Sequence, residues 1–406
     1  MNVCMNDMLY ALSRALDAVE HDLVGASDYH AQRVAYMSIK TGHLLGMDVN
    51  DLSDLSACAV LHDNALTEYL QSGERSAAEG SRAENQNLAL HCMMGEENIS
   101  QMPFYCSSRV KGAVLYHHER ADGKGPFGKS SCQTPVYAQI IHLWDNVDTV
   151  FDFGNYREGS RERVQKYLSR NAGTLFAEEL VKEALEVVTD ELLMRIEGRK
   201  VADLLLNCLP RIQREYSPED LMNLSDIFAK IIDYKSNFTS RHSLGIARKA
   251  RQMGEYYGED EETAAKLYLA GALHDIGKLV VNTDILEKPG KLTPEEYNHI
   301  QDHAAATYEI LKPIKGLEQI TSWASHHHEK LDGSGYPFGK TAEELGHKER
   351  LLACLDIYQA LTEARPYKEG MEHGKAMEIL KKLGAEGRLD ERIIQDIDHY
   401  YAGYAG

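Results

Sequence analysis

Residues 261–278 read EETAAKLYLAGALHDIGK. Apolar side chains recur at three-to-four spacing up to Leu273, the pattern of an amphipathic helix. The run then delivers His274 and Asp275 side by side. A His-Asp dipeptide alone says little, since His21-Asp22 is another and reads as ordinary helix surface. The weight of the second pair comes from repetition. An offset of 212 relates His30 to His242, His62-Asp63 to His274-Asp275, and His91 to His303. The offset becomes 210 for His117-His118-Glu119 against His327-His328-Glu329 and for Asp122-Gly123 against Asp332-Gly333. It is 211 for Pro126-Phe127-Gly128 against Pro337-Phe338-Gly339 and for Asp145 against Asp356, leaving Tyr336 without a first-copy counterpart. Leu9, Leu12 and Ser13 likewise match Leu221, Leu224 and Ser225, so a tandem duplication spans nearly the whole chain.

Other segments, among them LYALSRALDAVEHDL, DLMNLSDIFAKIIDY and RERVQKYLSRN, carry the same helical period, and no alternating strand pattern stands out. The fold class is therefore all-α: two tandem helical bundles related by internal duplication, residues 1–200 and 201–406. A length of 406 residues also exceeds a single core. Thr293-Pro294-Glu295-Glu296 is a capping box, so a helix is expected to start there with His299 and His303 on one face. The link from Gly198 to Pro218 is partly helical, and the domains are expected to dock. Asp332-Gly333-Ser334-Gly335-Tyr336-Pro337 and its first-copy partner are loops.

A net charge of -19 argues against a nucleic-acid polymer or an anionic membrane as partner, and an anionic small molecule would need local positive charge. The seven cysteines are scattered without a C-x-x-C pair, as expected of free thiols in a reducing, cytoplasmic setting. Neither a signal peptide nor a membrane-length apolar run is read in the chain. Protein partners, regulatory input and oligomeric state leave no mark in the sequence.

His242, His274, Asp275, His303, His327, His328 and Asp356 are five imidazoles and two carboxylates, a donor set for first-row transition metals. Spread over two ions bridged by Asp275, they leave coordination positions for water and phosphate oxygens. Two such ions clamp an in-line displacement and lower the pKa of bound water towards ~7. Phosphodiester hydrolysis suits this set best. His326 reads as a surface or supporting residue, since Tyr116 stands at its first-copy position, and His299 and His347 as exposed. The acidic run 258–262 reads as a solvated helix start.

At His274-Asp275-Ile276-Gly277-Lys278, His327 through Pro337, and Asp356-Ile357-Tyr358-Gln359-Ala360-Leu361-Thr362 with Arg365-Pro366-Tyr367, the second half resembles the HD-GYP family, HD-domain phosphohydrolases that cleave cyclic dinucleotides. The resemblance covers about residues 235 to 370. It implies tandem HD-domain bundles and two divalent ions, with Fe or Mn favoured and Zn open. His242, His274, Asp275 and Asp356 would hold one ion, and Asp275, His303, His327 and His328 the other, with a bridging hydroxide as nucleophile. It also implies that Asp275 and Lys278 are catalytic, Lys278 touching the scissile phosphate. Asp332, Gly335, Tyr336, Pro337, Arg365 and Lys368 would line the substrate, the two cations meeting its phosphates. Some members hold a third ion through a glutamate where this chain has Phe238, so two ions are expected. The family's second aspartate in the D-x-Y-D-A-L-T string is Gln359 here, a departure that leaves the ligand Asp356 intact.

The first copy keeps His30, His62, Asp63, His91, His117, His118 and Asp145, but Leu66 replaces Lys278 and Ala65 replaces Gly277. A metal-bearing, regulatory first domain is the expectation, with a second metal pair. The leading function is hydrolysis of cyclic di-GMP to pGpG and onward to GMP. The alternatives are a cyclic GMP-AMP phosphodiesterase, a non-catalytic nucleotide receptor, and a general monophosphate or dNTP hydrolase, which the Gly335-Tyr336-Pro337 loop disfavours.

Overall fold

Two aspartates start the helices that end in the His-Asp pairs. Asp48 Oδ1 accepts hydrogen bonds from Asn50 N and Asp51 N, 2.9 Å each, at the head of Val49–Val60. Asp260 Oδ1 accepts from Thr263 N at 2.7 Å at the head of Glu261–Leu273. Such caps satisfy N–H groups that a helix cannot bond internally, and each is worth about 1 kcal/mol. The computed structural model describes the chain apart from residues 25–26, 67, 70–80, 156, 235–241, 287, 289, 365–368 and 404–406. Phe238, Arg365 and Lys368 thus lie outside the described residues.

The described chain is all-α apart from one short antiparallel ladder, in which Asn2 pairs with Glu215 and Val3 with Arg214. The chain forms two compact units, Cys4–Gln213 and Arg214–Gly406 together with Met1–Val3. No described helix is long and apolar enough to cross a membrane.

In the first unit the helix His30–Leu44 is central, with Val34, Ala35 and Ile39 fully buried against Val49–Val60, Val136–Phe151 and Lys200–Cys208. The last of these buries Val201, Ala202 and Leu205, which is why the linking segment joins this unit. Each such valine, leucine or isoleucine contributes about 1.5–3 kcal/mol when withdrawn from water.

In the second unit His242–Tyr256 and Glu261–Leu273 meet through Ala247, Tyr268 and Ala272, joined by Ala229. Alanines at the contact let the axes approach closely. The start of one helix thereby meets the end of the other, placing the His242 and His274 rings 5.4 Å apart. Asp233 fixes the start of the first, accepting from Ser243 N with both oxygens at 3.0 and 3.1 Å. In the first unit Asp17 does the same for Ala31 N at 2.7 Å. The Thr293–Glu296 capping box forms as read, and Pro294–Leu311 carries His303 inward. His299, one turn earlier on that face, is exposed.

Candidate metal centres

The seven ligand positions read from the second copy arrive from five structural contexts. His242 opens its helix, His274 and Asp275 stand between Glu261–Leu273 and the 3₁₀ turn Ile276–Val280, and His303 lies mid-helix. His327 and His328 follow Glu318–Ser325, and Asp356 lies within His347–Thr362. All seven converge. Asp275 Oδ2 is 3.1 Å from His274 Nε2 and 4.0 Å from His242 Nε2. Its Oδ1 is 3.4 Å from His303 Nε2 and 3.9 Å from His327 Nε2. One carboxylate thus faces two pairs of imidazoles with separate oxygens, which is the disposition a bridging ligand needs. Asp356 divides similarly, with Oδ1 3.1 Å from His242 Nε2 and Oδ2 3.6 Å from His328 Nδ1.

The first copy repeats this geometry. Asp63 Oδ2 is 3.6 Å from His62 Nε2, and its Oδ1 is 3.4 Å from His91 Nε2 and 3.3 Å from His117 Nε2. Asp145 sets Oδ1 3.4 Å from His30 Nε2 and Oδ2 3.6 Å from His118 Nδ1.

Backbone carbonyls select the ring tautomers. His274, His303 and His327 donate Nδ1–H to Gly271 O, Ile300 O and Ala324 O at 2.7, 2.5 and 2.6 Å. His62 and His117 do so to Ala59 O and Val114 O at 2.9 and 2.6 Å. A carbonyl only accepts, so Nε2 of each ring carries the lone pair that faces the cluster. Burial holds His328 down to about 3 and His327 well below the usual imidazole value. Burial opposes ionisation of Asp275, but the neighbouring His274 and Lys278 outweigh it, and its carboxyl sits well below the usual range. Neutral imidazoles at His327 and His328 beside the ionised Asp275 carboxylate are what a cation requires. The donor set also fits an ion on a second ground: among the described residues, His274 Nε2, Asp275 Oδ1, His62 Nε2 and Asp63 Oδ1 are buried without a hydrogen-bond partner. A cation between them would answer that deficit, which otherwise costs about 1–3 kcal/mol per atom.

Around the second cluster, Lys278 Nζ stands 2.5 Å from Asp275 Oδ2 with its side chain partly exposed. Tyr336 lays its ring over His328, centroids 4.6 Å apart, and reaches towards His303. Glu329 shapes that loop by accepting from Phe338 N and Lys340 N at 2.7 and 2.9 Å. Glu119 accepts from Phe127 N and Lys129 N in the first copy. Gly335 passes so close to the backbone of Glu329 and Lys330 that a side chain would overlap it, and Pro337 continues the turn. Asp332 is turned into its own loop, accepting from Ser334 N and Oγ at 2.9 and 2.7 Å. Gly277 is required by close approach, since a Cβ there would overlap His303 O. His326 is buried beside Phe338 and Ser322 rather than at the surface, and stays outside the ligand set. His347 is exposed.

Sequence reasoning missed three features. His242 Nδ1 pairs with Glu363 Oε2 at 3.1 Å. In the first copy His30 Nδ1 pairs with Asp148 Oδ2 at 2.7 Å, and the buried Arg33 forks onto that carboxylate. Asp145-x-x-Asp148 and His30-x-x-Arg33 were visible spacings that could have signalled the latter. The third is Cys92, which joins His91, His117 and His118 in one cluster.

Two buried His-Asp clusters, each gathered by a helical frame and each able to hold divalent cations, define two metal-binding domains of the His-Asp type in tandem. Models of the HD domain match residues 28–150 and 226–393, and the chain belongs to the HD-domain phosphohydrolases of the HD-GYP group, which bind divalent metals. It is 30% identical over 413 residues to the 3'3'-cGAMP-specific phosphodiesterase 1 of Vibrio cholerae, covering 98% of this chain and 93% of that one. It is 35% identical over 169 residues to the cyclic di-GMP phosphodiesterase response regulator RpfG of Xanthomonas campestris, covering 41% of this chain and 44% of that one. The crystal structure of a cyclic GMP-AMP-specific phosphodiesterase from V. cholerae superposes with a TM-score of 0.65 at 22% identity, covering 97% of each chain, and shares the fold.

Proposed function

We propose that this chain is a metal-dependent cyclic-dinucleotide phosphodiesterase whose catalytic centre is the second copy, residues 201–406, with the first copy, residues 1–200, a metal-bearing regulatory domain. The observation that carries the reading is the two-sided Asp275, with imidazoles at both oxygens and Lys278 beside it. When bound, a divalent pair acidifies water and neutralises phosphate charge. The chain supplies the rest. His242, His274, His303, His327, His328 and Asp356 would hold the ions, and Lys278 sets a cation beside Asp275 that would meet the charge of the scissile phosphate. Tyr336 covers His328 and limits water on that side, while Asp332, Gly335 and Pro337 shape the loop that borders the substrate. Arg365 and Lys368 complete the reading as phosphate contacts by resemblance alone. Leu66 offers the first copy no such cation, which supports a regulatory role there.

Iron or manganese is the proposed metal, since a donor set of nitrogen and oxygen alone gives no preference for the softer ions. Cyclic di-GMP is the leading substrate. Cyclic GMP-AMP is the second reading, favoured by the relative that aligns over nearly the full length. Protein loaded with each metal under anaerobic conditions and given each dinucleotide separately tests the proposal through its products. Linear dinucleotide or mononucleotide is expected from at least one substrate, and release from neither removes the enzyme reading.

A further inference from the structure

The first copy carries a sulfur that the second lacks. Cys92 follows His91 in the helix Ser81–Ile99, and the offset of 212 sets the fully buried Ala304 at its place in the second copy. Cys92 is itself fully buried, with Sγ 3.7 Å from His91 Nε2 and 3.7 Å from His117 Nδ1. His117 Nδ1 is committed to Val114 O, so His91 Nε2 is the partner that shares a lone-pair direction with the sulfur. Metal–sulfur and metal–nitrogen bonds of ~2.3 and ~2.0–2.1 Å in a tetrahedral site separate the two donors by about 3.6 Å. The observed 3.7 Å matches that span. One donor atom from each of His91, Cys92, His117 and His118 falls within 4.8 Å of the others. Independently, Asp63 Oδ1 is buried without a hydrogen-bond partner among the described residues and stands 3.4 Å from the same His91 Nε2.

We propose that Cys92 is a thiolate ligand of the first copy's metal centre, completing with His91, His117 and Asp63 a four-donor set that favours zinc or ferrous iron. The inference rests on the reading of the first copy as metal-bearing. Binding replaces the thiol proton with the ion and releases that proton to solvent. A fourth protein donor fills the position that a catalytic ion leaves open for water, so the site is of the closed, structural kind. Together with Leu66 in place of Lys278, this makes the two copies chemically different: an open nitrogen-oxygen centre in the second and a sulfur-bearing one in the first.

The test uses the full-length chain loaded anaerobically with cobalt(II), comparing wild type, Cys92→Ala and Asp63→Ala by near-ultraviolet absorption and cobalt content. Cys92→Ala should fold, because alanine occupies the equivalent buried position in the second copy. A sulfur-to-cobalt charge-transfer band in wild type that disappears in Cys92→Ala is the expected result. If the band survives Cys92→Ala, or is absent although Asp63→Ala lowers the cobalt content, Cys92 is not a ligand while the metal reading stands. If wild type shows no such band and Asp63→Ala leaves cobalt content unchanged, the first copy holds no metal and both readings fall.

Discussion

Glu363 Oε2 lies 3.1 Å from His242 Nδ1, a position that in the first copy belongs to Asp148, 2.7 Å from His30 Nδ1. The residue that matches Asp148 in the repeat is Gln359, and the one that matches Arg33 is Gly245. In the first copy a guanidinium fork locks the carboxylate that orients the histidine, with Arg33 Nε 2.7 Å from Oδ1 and Nη2 2.9 Å from Oδ2. In the second copy the fork is gone. The space above Gly245 is filled by the Gln359 amide, whose oxygen accepts from Lys249 Nζ at 2.7 Å. The orienting carboxylate has moved one helical turn on, to Glu363. Both devices leave Nε2 of the histidine facing its aspartate.

Glu363→Ala should therefore weaken metal retention by the second copy, by about 10- to 100-fold in affinity, the usual range for an outer partner of a metal-binding histidine. Glu363→Gln, which keeps an acceptor, should lose less. Metal content after graded chelation measures both, and equal retention by all three proteins would contradict the orienting role.

Lys278→Ala should reduce kcat by about 10²–10³ while leaving metal content unchanged, since one preorganised cation at a developing phosphate charge is worth ~2.7–4 kcal/mol. Steady-state kinetics beside metal analysis separates this from loss of the ions.

Gly277→Ala should destabilise the second unit by about 1–3 kcal/mol, because the new methyl meets His303 O and the Pro294–Leu311 helix must retreat. The first copy carries Ala65 at this place, with Gly95 where the second has Thr307, so the two copies pack this contact differently. Thermal unfolding of the metal-loaded variant checks it.

Asp390 gives a pH signature outside the His-Asp cluster. It caps Glu391–Ala402 through Arg392 N and pairs with Arg350 Nη1 at 3.0 Å. Burial works against its ionisation, but the Arg350 hydrogen bond and the helix N–H groups outweigh it and lower its pKa. A folded value below the unfolded one means that the contribution is present above about pH 4 and lost as the pH falls through the folded value. Asp390→Ala should cost about 0.5–2 kcal/mol at pH 7, a difference that shrinks towards zero in acid. Denaturation of both proteins across that range measures the difference directly.

The all-α fold and the seven convergent positions of each copy were legible because duplication prints the same order of side chains twice. Helical periodicity and the Thr293 capping box set the frame. The same logic hid the rest. Cys92 faces Ala304 across the repeat, so agreement between copies discards it. Glu363 is matched by Asp152, which ends its helix in the left-handed region and accepts from Asn155 instead of orienting a histidine. His326, matched by Tyr116, gave no sign of burial because its ring packs on Phe338, which a loop twelve residues on brings back to it and no local pattern encodes.

The most direct test is turnover of cyclic di-GMP and cyclic GMP-AMP by anaerobically purified chain, with metal content, in wild type, Asp275→Ala and Asp63→Ala. Loss of hydrolysis in Asp275→Ala with hydrolysis retained in Asp63→Ala is the predicted result and assigns catalysis to the second copy. Absence of hydrolysis of either dinucleotide by metal-loaded wild type, or activity that survives Asp275→Ala, would contradict it.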